Sequence, residues 1–251
     1  VVQAVDGQTC TFGELDRRAS AWLTTHAPSD PASLRGRPVV FAVANGIGWF
    51  EVFLALLRAG AVAVPLDAGE PAAAQATLST AVRAGFFWDG SRLVALGGAR
   101  QFRDPAVSLI KLTSGTTGQP RPLVFSDAQL IADARQVTAS MGIKEVDVNY
   151  GLIPLGHSYG LGNLTLPLIV CGTALVCGSA PLPHAIAADF ACWQPTVFPG
   201  VPAVFRALAA SGLDADAMPG LRLAISAGAP LAPDVARDFA ARFGRRLHSF
   251  Y

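Results

Sequence analysis

Ten consecutive residues, Leu112-Thr113-Ser114-Gly115-Thr116-Thr117-Gly118-Gln119-Pro120-Arg121, supply four hydroxyls, two glycines and one guanidinium. That is the chemistry of a loop that wraps an anion. Glycine admits positive φ and lets the backbone approach a ligand closely, so successive N–H groups can face one concavity. Ser and Thr hydroxyls add rotatable donors, and Arg adds a planar, permanently charged fork matched to phosphate oxygens. A plain Ser/Thr/Gly surface turn is the competing reading. The density of hydroxyls, and the apolar stretch 107–109 just before them, favour a polyphosphate loop after a strand, where α/β folds bind ligands. The Walker pattern is not met, because no Gly-Lys-Ser/Thr follows Gly115 or Gly118.

Two further segments carry small or reactive residues. Gly156-His157-Ser158-Tyr159-Gly160 satisfies G-x-S-x-G, the nucleophile elbow of α/β-hydrolases, and Asp214, Asp216, Asp234 and His248 follow in the order that an esterase built on Ser158 needs. No HGGG-like oxyanion segment precedes it, and the hydrolase reading leaves the hydroxyl run unexplained. Ser226-Ala227-Gly228-Ala229-Pro230-Leu231 follows the apolar run 221–225, which places small residues at a strand's carboxyl end. A tight strand-to-helix turn is equally compatible with it.

The elements around these segments alternate. Thr11 with Glu14 predicts a capped helix whose Leu15, Ala19, Trp22 and Leu23 share a face. Strands are expected at 38–44, 61–65, 86–88, 107–109, 123–125, 150–153, 173–176, 196–198, 221–225 and 246–250. Helices are expected at 49–59, 71–84, 126–141, 161–171, 184–191, 202–210 and 233–243. Alternation of this kind predicts an α/β fold with two lobes of mainly parallel sheets flanked by helices. The polar stretch 90–105 suggests a boundary, with one lobe over 1–105 and a second over 106–251.

Composition excludes several classes. With 19 basic and 18 acidic residues in 251, there is no electrostatic footprint for nucleic acid. Lys111 and Lys144 are the two lysines, so the cations are overwhelmingly Arg. Cys10, Cys171, Cys177 and Cys192 show no C-x-x-C spacing, which argues against a zinc site or disulfide framework and for reduced thiols in a cytoplasmic protein. The most apolar stretch, 161–176, is interrupted by Asn163, Thr165, Pro167 and Gly172, so no membrane span is expected, and no secretory signal pattern opens the sequence.

Residues 112–121 closely resemble the phosphate-binding signature of the adenylate-forming superfamily, and five more segments match in order. They are Thr11-Phe12-Gly13-Glu14-Leu15, Ala59-Gly60-Ala61-Val62-Ala63-Val64-Pro65-Leu66, Pro154-Leu155-Gly156-His157-Ser158-Tyr159-Gly160-Leu161, residues 226–231, and Ser249-Phe250-Tyr251. The fourth of the six is similar to the acid-substrate segment of the acyl- and aryl-CoA synthetase branch. The resemblance implies the large N-terminal domain of such an enzyme, which uses ATP and Mg²⁺ to turn a fatty or aryl acid into an acyl-adenylate and passes it to CoA or a carrier-protein thiol. Thr113, Ser114, Gly115, Thr116, Thr117, Gly118 and Arg121 would then hold the phosphates. His157, Gly160, Val201 and Ser226 would border the acid. Gly228, Ala229 and Pro230 would line the adenine side, with Tyr251 against the adenine face. The catalytic set under this reading is Thr113, Ser114, Arg121 and His157, with no metal ligand in the chain. A catalytically silent nucleotide-binding module is the third reading. Two features depart from the pattern. The loop ends Pro120-Arg121-Pro122 where the family has Pro-Lys-Gly, and the interval from Leu66 to Thr113 is short. The family's remaining acidic, ribose-binding and lysine groups are expected beyond Tyr251, so the 251 residues alone are not expected to complete the reaction.

Overall fold

The computed structural model describes residues 1–3, 5–98, 100–113 and 121–250. Strands β1 (Val2–Gln3) and β2 (Gln8–Thr9) pair antiparallel. Helix α1 (Phe12–His26) follows its expected cap: the Glu14 N–H donates to the Thr11 hydroxyl at 3.2 Å, and the Thr11 N–H donates to the Glu14 carboxylate at 2.8 Å. A 3₁₀ turn (Pro31–Leu34) leads to β3 (Pro38–Ala42), α2 (Ile47–Arg58), β4 (Val62–Leu66), α3 (Ala72–Ala81), β5 (Phe86–Trp88) and β6 (Leu93–Ala95). Next come β7 (Val107–Thr113), β8 (Arg121–Ser126), α4 (Asp127–Met141) and β9 (Val148–Gly151). A composite helix joins α5 (Ser158–Gly160), a π-helical turn (Leu161–Thr165) and α6 (Leu166–Cys171). The chain continues through β10 (Ala174–Cys177), α7 (Pro183–Trp193), β11 (Val197–Gly200), α8 (Pro202–Ala210), β12 (Leu223–Ser226), α9 (Pro233–Phe243) and β13 (Leu247–Ser249). Proline opens α7, α8 and α9, where its missing N–H costs no helical bond.

These elements form two units. The first comprises residues 10–132 and 156–158, on a six-stranded sheet ordered β6-β5-β3-β4-β7-β8. β3, β4, β5 and β7 run parallel, while β6 and β8 are antiparallel to their neighbours. Its central strands are buried on both faces: Val39, Val40, Phe41, Val62, Ala63 and Val64 are fully enclosed, as continuous apolar runs require. Trp49 packs on Phe41 and Phe53 at ring-centroid distances of 5.6 and 4.9 Å.

The second unit comprises residues 1–9, 133–155 and 159 onward, on a seven-stranded sheet ordered β13-β12-β11-β9-β10-β1-β2, parallel except at β1/β2. Its core is a chain of rings, Tyr150 to Phe198 to Phe205 to Phe239 to Phe243, with successive centroids 5.1, 5.1, 5.2 and 5.0 Å apart. Tilted and edge-on pairs of this kind add to the burial of large rings. Two polar networks brace the unit. Asp147 accepts from the Lys144 N–H, the Thr196 hydroxyl and the Arg222 guanidinium. Asp189 accepts from the Tyr150 hydroxyl at 2.6 Å and from the Ser179 N–H at 2.9 Å.

The division differs from the boundary expected near residue 105. β7 pairs with β4, so both strands flanking the hydroxyl run belong with the N-terminal sheet. β1 instead joins β10 in the other sheet. Long-range pairing decides this, and nothing in the composition of 90–105 signals it.

Candidate active site

In the first unit, β7 and β8 run past the expected strands and bring Thr113 and Arg121 face to face as the last cross-strand pair before residues 114–120. The hydroxyl run therefore springs from the carboxyl edge of a parallel sheet, the edge at which open α/β sheets bind ligands. Ser114, Gly115, Thr116, Thr117 and Gly118 lie outside the described residues, as does Tyr251. Arg121 is exposed on the edge strand. Two residues back on β7, the Lys111 ammonium sits 4.7 Å from the Phe125 ring centroid.

Gly156-His157-Ser158 belongs to this same unit. A methyl group on Gly156 would lie 2.6 Å from Pro65 Cβ, so the segment rests on the end of β4, the strand beside β7. His157 is exposed in the turn before α5. The structure thus brings His157 and the roots of the hydroxyl loop to adjacent strand ends. It does not build a nucleophile elbow. Ser158 starts α5 seven residues after the end of β9, and among the described residues the non-glycine positive-φ positions are Arg83 and Gln194.

In the second unit, Val201 follows the carboxyl end of β11, Ser226 ends β12, and Gly228, Ala229 and Pro230 come just after it. Gly200, Ser226 and Ser249 are in register across β11, β12 and β13. The Tyr159 hydroxyl is within bonding distance of both the Gly200 and Ile225 carbonyls, at 3.3 and 3.0 Å, and its ring stacks on Phe250 at 6.2 Å. Burial pushes the Tyr159 hydroxyl well above its ordinary pKa, so it stays a donor. Gly228 has φ +82, and Val201 Cγ1 lies 3.5 Å from where its Cβ would be. Ala229 and Pro230 are exposed beside it. The Ser226 side chain is buried, with an Oγ that has no hydrogen-bond partner among the described residues. Gly160 is buried where a Cβ would lie 2.0 Å from the Pro154 carbonyl oxygen.

Tyr159 and the buried pair Asn149 and Asn163 were not singled out as site residues by sequence reasoning. The Asn149 amide donates to the Asn163 carbonyl at 3.2 Å, and the Asn163 amide to the Tyr159 carbonyl at 3.3 Å. The available signal was Asn163 itself, a polar residue in the most apolar stretch, here inside a π-helical turn of the kind often found at functional sites.

Small residues, a positive-φ glycine and an orphaned hydroxyl at the carboxyl edge suit the close approach of a nucleotide. For Mg²⁺ the fit is poorer. No group of three His, Cys, Asp or Glu gathers among the described residues. No helix among them is long and apolar enough to cross a membrane.

Comparison with known proteins agrees with this architecture. The AMP-binding enzyme family matches residues 97–251. Benzoate–CoA ligase of Thauera aromatica is 36% identical over 135 residues, 53% of this chain and 26% of that enzyme. A feruloyl-CoA synthase of Amycolatopsis is 27% identical over 258 residues, 93% of this chain and 52% of that enzyme. The apo structure of MatB from Rhodopseudomonas palustris superposes with a TM-score of 0.80 at 20% identity, over 98% of this chain and 55% of that one. The chain spans a quarter to a half of the length of these relatives. With the family matched across more than half of its residues and the same fold throughout, the chain belongs to the AMP-binding enzymes, the adenylate-forming group.

Proposed function

We propose that the protein activates an aryl carboxylic acid with ATP and transfers the acyl group to the thiol of CoA. The observation that supports this reading is the Thr113/Arg121 backbone pair at the carboxyl end of β7, which flanks a hydroxyl- and glycine-rich stretch of sequence in a chain of the AMP-binding family. In the first step a carboxylate oxygen attacks the α-phosphorus of ATP, and the bond to the bridging oxygen breaks to expel pyrophosphate. In the second, the thiol sulfur attacks the acyl carbon, loses its proton and displaces AMP.

Thr113, Ser114, Thr116, Thr117 and Arg121 hold the β- and γ-phosphates as negative charge builds on the leaving pyrophosphate. Such fixed donors act chiefly by positioning and charge neutralisation. Gly115 and Gly118 give the backbone the freedom to close round the phosphates. His157, Gly160, Val201 and Ser226 border the acid, while Gly228, Ala229, Pro230 and Tyr251 receive the adenine. Mg²⁺, when bound, would neutralise phosphate charge. The names of the benzoate and ferulate relatives support an aryl acid over a fatty one. A cytoplasmic location follows from the supply of ATP and CoA.

The test is benzoate-dependent exchange of labelled pyrophosphate into ATP by the intact protein. Arg121→Ala with Ser114→Ala should lower exchange by about 10²- to 10³-fold, the usual effect of removing a donor aimed at developing charge. Exchange that survives both changes defeats the phosphate-loop assignment. Ester hydrolysis abolished by Ser158→Ala would restore the hydrolase, and ATP binding without exchange would leave a silent nucleotide-binding module.

A further inference from the structure

The first unit contains a cavity of about 640 Å³ between α3, β5 and the segment after β6. Its floor is apolar: Ala72 and Ala76 come from α3, Phe87 from β5 and Leu96 from the segment after β6. That volume and lining suit a small organic molecule. One wall is set by backbone packing, since a methyl on Gly98 would lie 1.9 Å from the Ala84 carbonyl oxygen.

The polar groups restrict what can enter. Gln75, Ser79 and Thr80 line the cavity, but the two hydroxyls donate within their own helix, to Gln75 O at 2.7 Å and Ala76 O at 3.0 Å, and the Gln75 side-chain amide donates to Glu70 O at 2.7 Å. They offer lone pairs and repel nothing apolar. Among the described lining residues Arg83 is the one charged side chain, and no acid lies with it. Its position is unusual. Arg83 follows the cap of α3 at φ +54, where the Ala84 N–H closes the turn onto Ser79 O at 2.9 Å. Among the described residues α7 also ends on a non-glycine of positive φ, Gln194 at +48, whereas α2, α4, α6, α8 and α9 are each followed within two residues by a glycine of positive φ, Gly60, Gly142, Gly172, Gly212 and Gly244. Glycine is the residue that such a turn favours. Here a guanidinium stands instead, at the rim of an apolar cavity.

We infer that this cavity binds a free monocarboxylic acid by its apolar body, with the carboxylate on the Arg83 guanidinium. A single planar fork satisfies one carboxylate bidentately. A phosphate ester, with about two charges and three acceptor oxygens, would meet a single cation there. The inference does not rest on the proposed reaction: Arg83 precedes β5 and Leu96 follows the residue paired with Phe86, which puts both at the amino end of β5, away from its carboxyl edge.

The experiment is calorimetric titration of the intact protein with decanoate and with decanol. Decanoate should bind saturably, and decanol at least about tenfold more weakly, the range expected when a charge-assisted bond is lost. Arg83→Asn keeps a residue tolerant of positive φ, and Arg83→Gly relieves the turn altogether; both should weaken decanoate at least about tenfold while pyrophosphate exchange stays at the wild-type level. Ala76→Phe should fill the floor and abolish binding. Absence of saturable binding, equal affinity for decanol, or wild-type affinity in any of the three variants overturns the assignment.

Discussion

Gly160 and Gly162 sit two residues apart in one composite helix, yet a single methyl should act on them with opposite sign. Gly160 has φ −65 and ψ −39, a conformation any L-residue adopts, so backbone freedom does not explain the glycine. Space does. A Cβ there would meet Pro154 O at 2.0 Å, Pro154 C at 2.8 Å and Leu155 Cα at 3.2 Å. A relaxed carbon–oxygen contact is about 3.3 Å, so the helix and the turn must part by about 1.3 Å. All three atoms are backbone, and no flexible side chain can swing away. Overpacking costs about 1–3 kcal/mol in general, and a clash with backbone alone belongs at about 3 kcal/mol. At Gly162 the nearest atom is Asp133 Oδ2 at 3.7 Å, an ordinary contact. There alanine's better helix propensity should leave stability unchanged or raised by up to about 1 kcal/mol. Urea unfolding should therefore move the Gly160→Ala midpoint down by about 1 M, taking a slope of about 2–3 kcal/mol per molar. Pyrophosphate exchange should fall with it, because the displaced turn carries His157. A Gly160→Ala protein within about 0.5 kcal/mol of wild type, or a Gly162→Ala protein less stable than it, refutes the steric account.

Two other substitutions test the second unit. Burial alone would raise the Asp147 carboxyl, but the Arg222 guanidinium, the Lys144 N–H and the Thr196 hydroxyl outweigh it and hold the pKa at about 2, below the ordinary 3.8. A depressed carboxyl stabilises the fold above its unfolded pKa and loses that contribution as pH falls. The shift corresponds to about 2 kcal/mol, allowing for solvent around the partly exposed Arg222. Asp147→Asn should thus lose about 2 kcal/mol at pH 7, and the gap from wild type should shrink between pH 4 and pH 2 in urea titrations; a constant gap contradicts the ion pair. Tyr159→Phe keeps the ring on Phe250 but removes the hydroxyl tie to β11 and β12, and should cost about 1 kcal/mol in thermal unfolding. An unchanged melting temperature would show that the tie contributes nothing.

What could be read from the sequence was what local chemistry decides. The runs at 38–44 and 61–65 announced buried strands because β3 and β4 are covered on both faces, and Thr11 with Glu14 announced α1 because the cap closes within one turn. β1, β2 and β6 are two or three residues long and take their state from the strand they pair with, so no propensity marks them. The same limit applies at the site. Residue types singled out the hydroxyl run, Gly228 and His157. The tie from Tyr159 to Ile225 spans 66 residues, and the bond from Asn149 to Asn163 depends on a π-helical turn that shifts the register of the helix. Both are products of packing, and short-range spacing carries no trace of them.

The Arg121-Pro122 exit shows how topology absorbs a departure from a family pattern. In an interior strand, Pro122 would remove a ladder donor and disrupt pairing. It sits instead on β8, opposite Leu112, at the outer edge of the described sheet. An edge strand tolerates proline, and proline there also hinders another chain from adding to the row of open backbone groups. Its ring acts on the preceding residue as well, disfavouring helical φ and ψ and holding that residue extended. That residue is Arg121, paired across from Thr113 at the mouth of the hydroxyl run. A Lys-Gly exit would leave a flexible stem on a flexible backbone. Arg-Pro puts a planar, permanently charged group on a backbone restricted to one region, which under the proposed function lowers the backbone ordering that binding an anion would cost.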